Sequence, residues 1–593
     1  MKPPAGRRGL ADLLAPALAA LAVIVIYGVI ACTADSELGS RTPAEDYYNR
    51  LIDGFAKGQL SLDLTPPAAL MELPDPYDPR ANAPFHGQAY SPGRIHDLSY
   101  YQGRFYLYFS AIPAVVLFLP FHWVTGAYLS HQQACFIFCS IGFLAAAALV
   151  DSIRPHHFPA AGPVAAAVAT LCVGLVPVVP IVLQRPDVWE VPITAAYAFW
   201  MLSLLLVWIH LRRPAPSWKT ALAAGAAVGL AIGCRPNGCL GAVILLWPLF
   251  RALRPAAGLD RAKGCAVAAA FLLPLAAIGA GVAAYNAARF GAPFDFGQTY
   301  QLTGDVERTI PHFQADFIWY NFQLYFLADS GWQSVFPFVK ELAAPPQPAG
   351  HVVVEGPVGV LAMLPFLLCA AAIPLGLRRL PAEPRRELAS LVGAILLLFA
   401  SVAGPLCLFF ATCVRYQLEF VPALALLAAI GFFALVSGAV QTRWLCRGLL
   451  AASGCAAVVS IAFNLLTAAN RRGAAETYHG MIAMQSGQRD EAADLYRRAM
   501  RLRPGDVVAP VGLSNIFARE GKFAEAGDAL KKAIALQPYS PNLHFDYAYC
   551  LFRTAHWNDA MAECERALQL QPSFTEVRNL ERQISLSRPR VLP

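Results

Sequence analysis

Charge is what this sequence has little of. Asp, Glu, Lys and Arg make up 14% of its 593 residues, against about 25% in an ordinary soluble domain. Length alone would suggest several soluble domains, and the scarcity of charge excludes that for most of the chain. Paired cysteines are missing too. None of the 14 cysteines stands in a CxxC pair, which argues against a zinc or redox site. Cys135, Cys139, Cys172, Cys234, Cys369 and Cys407 lie inside apolar runs, where cysteine behaves as a small hydrophobe. No basic cluster is interleaved with aromatics, so no nucleic-acid partner is expected. The net charge of +7 is therefore read as basic loops beside a membrane.

What the sequence has in quantity is apolar length. Hydrophobic residues are 57% of the chain, and many runs reach the roughly 20 residues that cross a bilayer. Eleven spans are expected, at 10–32, 132–151, 162–183, 190–211, 219–235, 237–253, 264–285, 357–377, 387–411, 416–439 and 446–468. The first run, Leu10–Cys32, is too long for a signal-peptide core and reads as an uncleaved anchor, although Val29-Ile30-Ala31-Cys32 loosely resembles a lipoprotein cleavage site.

One more stretch, Tyr106–Val124, is short and holds Pro113 and Pro120. If it does not cross, Lys2/Arg7/Arg8, Arg154, Arg212/Arg213/Lys219, Arg251/Arg254/Arg261/Lys263, Arg378/Arg379/Arg385/Arg386 and Arg443/Arg447 all fall on one side. The positive-inside rule makes that side the cytoplasm. The stretch is expected to lie on the outer face as a re-entrant or interfacial helix. The N-terminus is then cytoplasmic and the C-terminus periplasmic, in a multi-pass protein of the bacterial inner membrane. The loops 33–105 and 286–356 face outward.

The tail has a period. Pro504, Pro538 and Pro572 are 34 residues apart, and so are Ala492, Ala526 and Ala560, and Ala499, Ala533 and Ala567. Gly487 and Gly521 mark turns between paired helices. This resembles the tetratricopeptide repeat. The expected fold is all-α: a transmembrane domain over 1–472 and a repeat array over 473–593, an α-solenoid that buries apolar faces only by stacking. The array could offer a groove to a protein partner or cap the chain's own outer loops. Cys550 and Cys564 sit on the two helices of the third repeat, where a disulfide is open in an oxidising compartment.

The candidate chemistry gathers on the outer face. The first outer loop begins Arg41-Thr-Pro-Ala-Glu45-Asp46-Tyr47-Tyr48. Further landmarks follow in order: Tyr100-Tyr101-x-Gly-Arg-Phe-Tyr, Arg185-Pro-Asp187-Val-Trp-Glu190, Arg235-Pro236-Asn237, Tyr285-Asn286-x-x-Arg289 and Arg415-Tyr416. Together they resemble the GT-C glycosyltransferases, and more closely the bacterial relatives of protein O-mannosyltransferases and lipid A aminoarabinose transferases. The resemblance spans about 10–468. It implies transfer of a sugar from a polyprenyl-phosphate donor, at the outer face, to an envelope glycan, lipid or protein.

That chemistry needs a group to take the proton of the acceptor hydroxyl, and Asp46 or Glu45 could do so. Either could equally cap a helix start. The acidic pair stands in the reverse of the family's common Asp-Glu order. A lipid phosphate suits guanidinium groups, so Arg185, Arg235, Arg289 and Arg415 are candidates, although arginines at span ends also snorkel to headgroups. Asp187 and Glu190, one helical turn apart, could bind a divalent metal, contact the sugar or hold an arginine. Asp78 and His96-Asp97 are open between turn and acceptor-path roles. Two rival functions remain: a lipid-linked sugar transporter, and a non-enzymatic scaffold acting through the repeats.

Overall fold

The computed structural model describes the chain except residues 1–8, 35, 37–39, 41, 87–94, 214, 255–260, 304–308, 439–441 and 588–593. Lys2, Arg7, Arg8 and Arg41 of the expectations above lie outside the described residues. The chain is mostly helical and divides into two compact units. One comprises Met1–Gly331 and Lys340–Ala468, the other Trp332–Val339 and Ala469–Pro593.

In the first unit the long helices are α1 (Leu10–Cys32), α3 (His131–His157), α4 (Pro163–Leu175, running on to Val182), α5 (Glu190–Arg212), α6 (Trp218–Cys234), α7 (Arg261–Phe290), α8 (Ala382–Leu408), α9 (Val421–Val436) and α10 (Arg443–Gln485). A short amphipathic helix, α2 (Tyr47–Ala56), follows α1. Eight helical stretches among the described residues are long and apolar enough to cross a membrane. They fall on eight of the eleven expected spans.

The other three expected spans are shorter or broken. Helix α6 has 17 residues and α9 has 16. The 357–377 run is cut into Val360–Met363, a 3-10 segment Pro365–Ala372 and Ile373–Arg379. Pro365 and Pro374 supply the cause, since proline removes a backbone donor. The Tyr106–Val124 stretch is not one helix either. It divides into the strand end at Leu107, a wide turn Ala114–Phe118 and a helix Leu119–Thr125. Twelve helical residues rise about 18 Å, against a hydrocarbon core of about 30 Å.

Small residues let the helices close on one another, as expected where lipid gives no hydrophobic drive between them. Helix α1 buries Ala19, Val23, Tyr27 and Ala31 at a spacing of four. A side chain at Gly174 of α4 would meet Val23 at 2.6 Å, and Tyr27 donates its hydroxyl proton to the Gly174 carbonyl at 2.5 Å. At Gly225 of α6 an added carbon would lie 2.1 Å from the Phe271 carbonyl oxygen of α7.

Two small ladders shape the loops 33–105 and 286–356. Strands β1 (Leu98–Tyr101) and β2 (Arg104–Leu107) pair antiparallel, with Leu98 opposite Leu107. Gln102 (φ 49°) and Gly103 (φ 72°) close them, as a tight two-residue hairpin turn requires. Strands β3 (Val353–Glu355) and β4 (Ala411–Cys413) pair in parallel, with Glu355 opposite Cys413. The loop 286–356 is thereby fastened to the chain that follows α8.

The second unit contains α11 (Arg489–Leu502), α12 (Val508–Arg519), α13 (Phe523–Leu536), α14 (Pro541–Arg553), α15 (Trp557–Leu570) and α16 (Thr575–Ser587), preceded by the end of α10. The recurrent alanines Ala492, Ala526, Ala560, Ala499, Ala533 and Ala567 are all fully buried. Gly487 (φ 79°), Gly521 (φ 77°) and Ala555 (φ 63°) occupy the same left-handed position at successive repeats. Behind each, an amide bonds a carbonyl five residues earlier: Gln488 to Ala483, Lys522 to Phe517, His556 to Leu551. This is the usual closure of a helix by a left-handed residue. Cys550 and Cys564 are both free. Cys550 packs with Ala526 and Leu530, Cys564 with Ala548 and Val577. They sit in separate cores, and no disulfide joins them.

Candidate functional site

Two adjoining cavities open in the first unit. The larger, about 690 Å³, is walled by Leu230 of α6, Ile278 and Val282 of α7 and Pro405 and Leu406 of α8, with Arg235, Asn237 and Arg289 among its lining. The smaller, about 340 Å³, is lined by His96, Asp97, Arg185, Trp189, Glu355, Arg415 and Tyr416. Tyr108, Phe109, Gln298 and Phe409 line both.

The four arginine candidates separate by their partners. Arg235, at the C-terminal end of α6, meets Glu419 at 2.9 Å, and Asn237 donates to the other Glu419 oxygen at 3.1 Å. Arg185 bridges Glu190 at 3.3 Å and Glu355 at 2.5 Å. Arg415 bonds the second oxygen of Glu355. Both stack near Trp189, at 5.5 and 5.9 Å, a cation–π distance. Arg289, in the last turn of α7, has neutral partners: it donates to the Leu107 carbonyl at 2.8 Å and to Asn286 Oδ1 at 2.7 Å. Its guanidinium lies 4.0 Å from the Tyr285 ring centre, and its Nε is buried with no partner. Among the described residues no carboxylate pairs with it. Asp295 acts on it only at a distance, without a direct ion pair, and a buried cation whose direct partners are neutral favours an anionic ligand.

The expected acidic residues are placed differently from one another. Glu190 holds Arg185 and also accepts the Asp187 amide at 3.1 Å. Asp187 is fully buried and accepts from Ser36 Oγ at 2.5 Å. Among the described residues no group of three or more His, Cys, Asp or Glu side chains is placed to hold a metal ion. Asp46 is 4% exposed, and its Oδ2 accepts the His131 amide at 2.9 Å, at the N-terminus of α3. Its carboxylate complements that helix end. Neither Asp46 nor Glu45, in the turn Pro43–Glu45, lines either cavity. Asp46 stands at the N-terminus of α2 without a side-chain cap there, and its carboxylate meets the start of α3 instead. Asp78 accepts the Arg80 amide at 2.9 Å in the turn that opens Pro79–His86.

Two acidic residues were not read from the sequence. Glu419 carried a signal: a lone carboxylate inside the expected span 416–439 is costly there and needs a partner. Glu355 carried none, because only the β3–β4 pairing brings it beside Arg415.

The comparisons with known proteins bear on the other unit. A model of the tetratricopeptide repeat matches residues 517–584. The chain carries tetratricopeptide repeats at its C-terminus. No curated protein matches the chain. Among solved structures, the first tetratricopeptide domain of Spaghetti (RPAP3), bound to an HSP90 peptide, shares 26% identity, covering 20% of this chain and 93% of that one, with a TM-score of 0.19. The Arabidopsis OM64 repeat domain shares 16%, covering 20% and 99%, with a TM-score of 0.20. The Yersinia enterocolitica secretion chaperone SycD, in complex with a YopD peptide, shares 19%, covering 19% and 90%, with a TM-score of 0.18.

Proposed function

We propose that the membrane unit is a glycosyltransferase that moves a sugar from a polyprenyl-phosphate carrier to a cell-envelope glycan, lipid or protein. One observation carries this: Arg289, a buried guanidinium with no carboxylate partner among the described residues, in the wall of an apolar cavity that adjoins a polar one. An isoprenoid tail suits walls made of Leu230, Ile278, Val282 and Leu406. The phosphate suits Arg289, with Arg235 beside the same cavity. A sugar suits the polar cavity, where Trp189 and Tyr416 give flat apolar faces and Arg185, Arg415 and Glu355 give hydrogen-bonding groups.

The chemistry follows from the donor. The acceptor oxygen bonds the anomeric carbon as its proton leaves, and the bond from that carbon to the phosphate oxygen breaks. The electron pair departs on the polyprenyl phosphate, whose charge a guanidinium offsets. The site belongs at the periplasmic face of a bacterial inner membrane in this proposal, with the N-terminus cytoplasmic and the repeats periplasmic. Tetratricopeptide repeats commonly bind other proteins, and the array is read here as the part that engages a protein partner.

The test is native mass spectrometry of the purified full-length protein with polyprenyl phosphate. Losing a charged, buried hydrogen-bond partner is worth about 1.5–3 kcal/mol. Arg289→Gln is therefore expected to weaken binding roughly 10- to 100-fold. Binding equal to wild type, or none in the wild type, would refute the proposal. A deletion strain is expected to lack one envelope glycan component.

A further inference from the structure

If the polar cavity holds the reacting sugar, one of its walls must supply the group that takes the acceptor proton. Its lining contains two carboxylates, Glu355 and Asp97. Glu355 is committed: one oxygen meets Arg185 at 2.5 Å and the other bonds Arg415. A carboxylate spanned by two cations is a weak base. Asp46, Asp187 and Glu190 line neither cavity.

Asp97 differs on three counts. First, it is not tied up by guanidinium groups as Glu355 is. Oδ2 accepts one hydrogen bond, from the Trp189 indole N–H at 2.6 Å. His96 Nε2 stands 3.7 Å from Oδ1, beyond hydrogen-bond reach. No arginine or lysine pairs with Asp97 among the described residues. Second, its side chain is 18% exposed, enough to reach an incoming hydroxyl. Third, its backbone is held in the left-handed region at φ 56°. Its amide bonds the Leu302 carbonyl at 3.0 Å, and Leu302 in turn bonds the Leu98 carbonyl at 2.9 Å. Aspartate enters this region more readily than most residues but still uncommonly, and such conformations cluster at active sites where the surroundings impose them. The β1–β2 hairpin and the 297–302 segment impose this one.

We infer that Asp97 is the general base of the transfer. This rests on the glycosyltransferase proposed above. The Asp97 carboxylate takes the proton of the acceptor hydroxyl while that oxygen forms its bond to the anomeric carbon. The carbon–oxygen bond to the phosphate breaks, and its electron pair leaves with the polyprenyl phosphate. The proton resides on Asp97 and returns to solvent or to the departing phosphate. Trp189 fixes the carboxylate's orientation, and Arg289 holds the leaving group in the adjoining cavity.

Asp97→Asn isolates the inference. Asparagine tolerates the left-handed backbone as aspartate does, and its amide oxygen can still accept from Trp189. A purely structural role survives the change; basicity does not. The variant is expressed in a deletion strain, the envelope glycans are read by mass spectrometry, and the purified full chain is tested for polyprenyl-phosphate binding. The expected result is a loss of transfer of about 10²- to 10⁴-fold with wild-type binding and wild-type protein level. Transfer equal to wild type overturns the inference. Loss of binding together with transfer overturns it too, because Asp97 would then hold the donor. A wild-type chain that binds no polyprenyl phosphate, in a strain whose deletion alters no glycan, overturns the transferase proposal instead.

Discussion

Arg235 and Arg289 look alike in the sequence, each a basic residue at the outer end of an expected span. Their surroundings make them different groups. Arg235 is matched by Glu419, a carboxylate 184 residues away. Arg289 has only neutral acceptors in direct contact among the described residues. The arginines could be read from the sequence because basic residues on the outer face run against the usual charge bias. Their partners could not, since pairing across such distances is decided by helix packing. Asp46 shows the converse: its motif was visible, but only the fold reveals that it faces the α3 helix end. Removing the counter-charge of Arg235 should be costly, because an unpaired buried charge typically costs about 3–5 kcal/mol. Glu419→Gln is expected to lower the thermal unfolding midpoint of the purified full chain clearly. Glu355→Gln should lower it less, its side chain being 26% exposed. Equal midpoints for the two variants would contradict that ranking.

His351 offers a pH-dependent counterpart. Its Nε2 lies 3.0 Å from Asn321 Oδ1 and 3.1 Å from Thr412 Oγ1, while Nδ1 is buried with no partner. Burial pushes the imidazole down to about 4, below its ordinary 6.5. The folded state therefore binds fewer protons than the unfolded one between those values. The stability contributed here is complete above about pH 6.5. It falls as the pH drops toward about 4, where the folded ring is itself protonated. Hydrogen exchange of 317–322 and 409–413, corrected for intrinsic rates, is expected to show easier opening at pH 5 than at pH 7. Unchanged opening would remove His351 as the cause.

At the scale of the element, the sequence fared best where periodicity was long. Eight helices long and apolar enough to cross a membrane, and the repeat helices, follow from apolar length and the 34-residue period. Boundaries failed where proline intervened, as in 357–377, or where a strand took over, as at Arg104–Leu107. Cross-strand pairing between β3 and β4 left no trace, because two three-residue strands carry no periodicity. The repeat turns show how a local rule can be tested. Gly487 and Gly521 meet the left-handed requirement without strain, whereas Ala555 does not. Alanine in that conformation costs about 1 kcal/mol more than glycine. Ala555→Gly is expected to stabilise the array by about that amount, partly offset by the greater freedom of glycine when unfolded. Chemical denaturation of the full chain, followed through the array's exchange-protected amides, would measure it. A destabilised variant would show that the turn is not strained.

For the whole molecule, a unit of apolar helices long enough to cross a membrane and a repeat unit share one chain. Composition separated them, because the apolar runs end where the period of 34 begins. The structure adds that Trp332–Val339, from the loop 286–356, belongs to the same compact unit as the repeats. Sidedness is the sharpest open expectation at this scale. Tyr539 is 82% exposed in the array, so Tyr539→Cys gives an accessible reporter. A membrane-impermeant maleimide is expected to label it in intact spheroplasts. Labelling only after lysis would place the repeats in the cytoplasm and move every outer-face assignment with them.

The shared wall of Tyr108, Phe109, Gln298 and Phe409 bears on the energetics of turnover. Pulling a long isoprenoid out of hydrocarbon costs about 0.8 kcal/mol for each methylene-sized group exposed to water. Even a ten-carbon withdrawal would then approach about 8 kcal/mol, enough to slow a cycle by several orders of magnitude. In the transfer proposed above, with an apolar compartment on one side of that wall and a polar one on the other, the carrier's tail would never have to be extracted. Only the bond between sugar and phosphate would sit at the boundary, and the spent carrier would diffuse away sideways without crossing an aqueous gap.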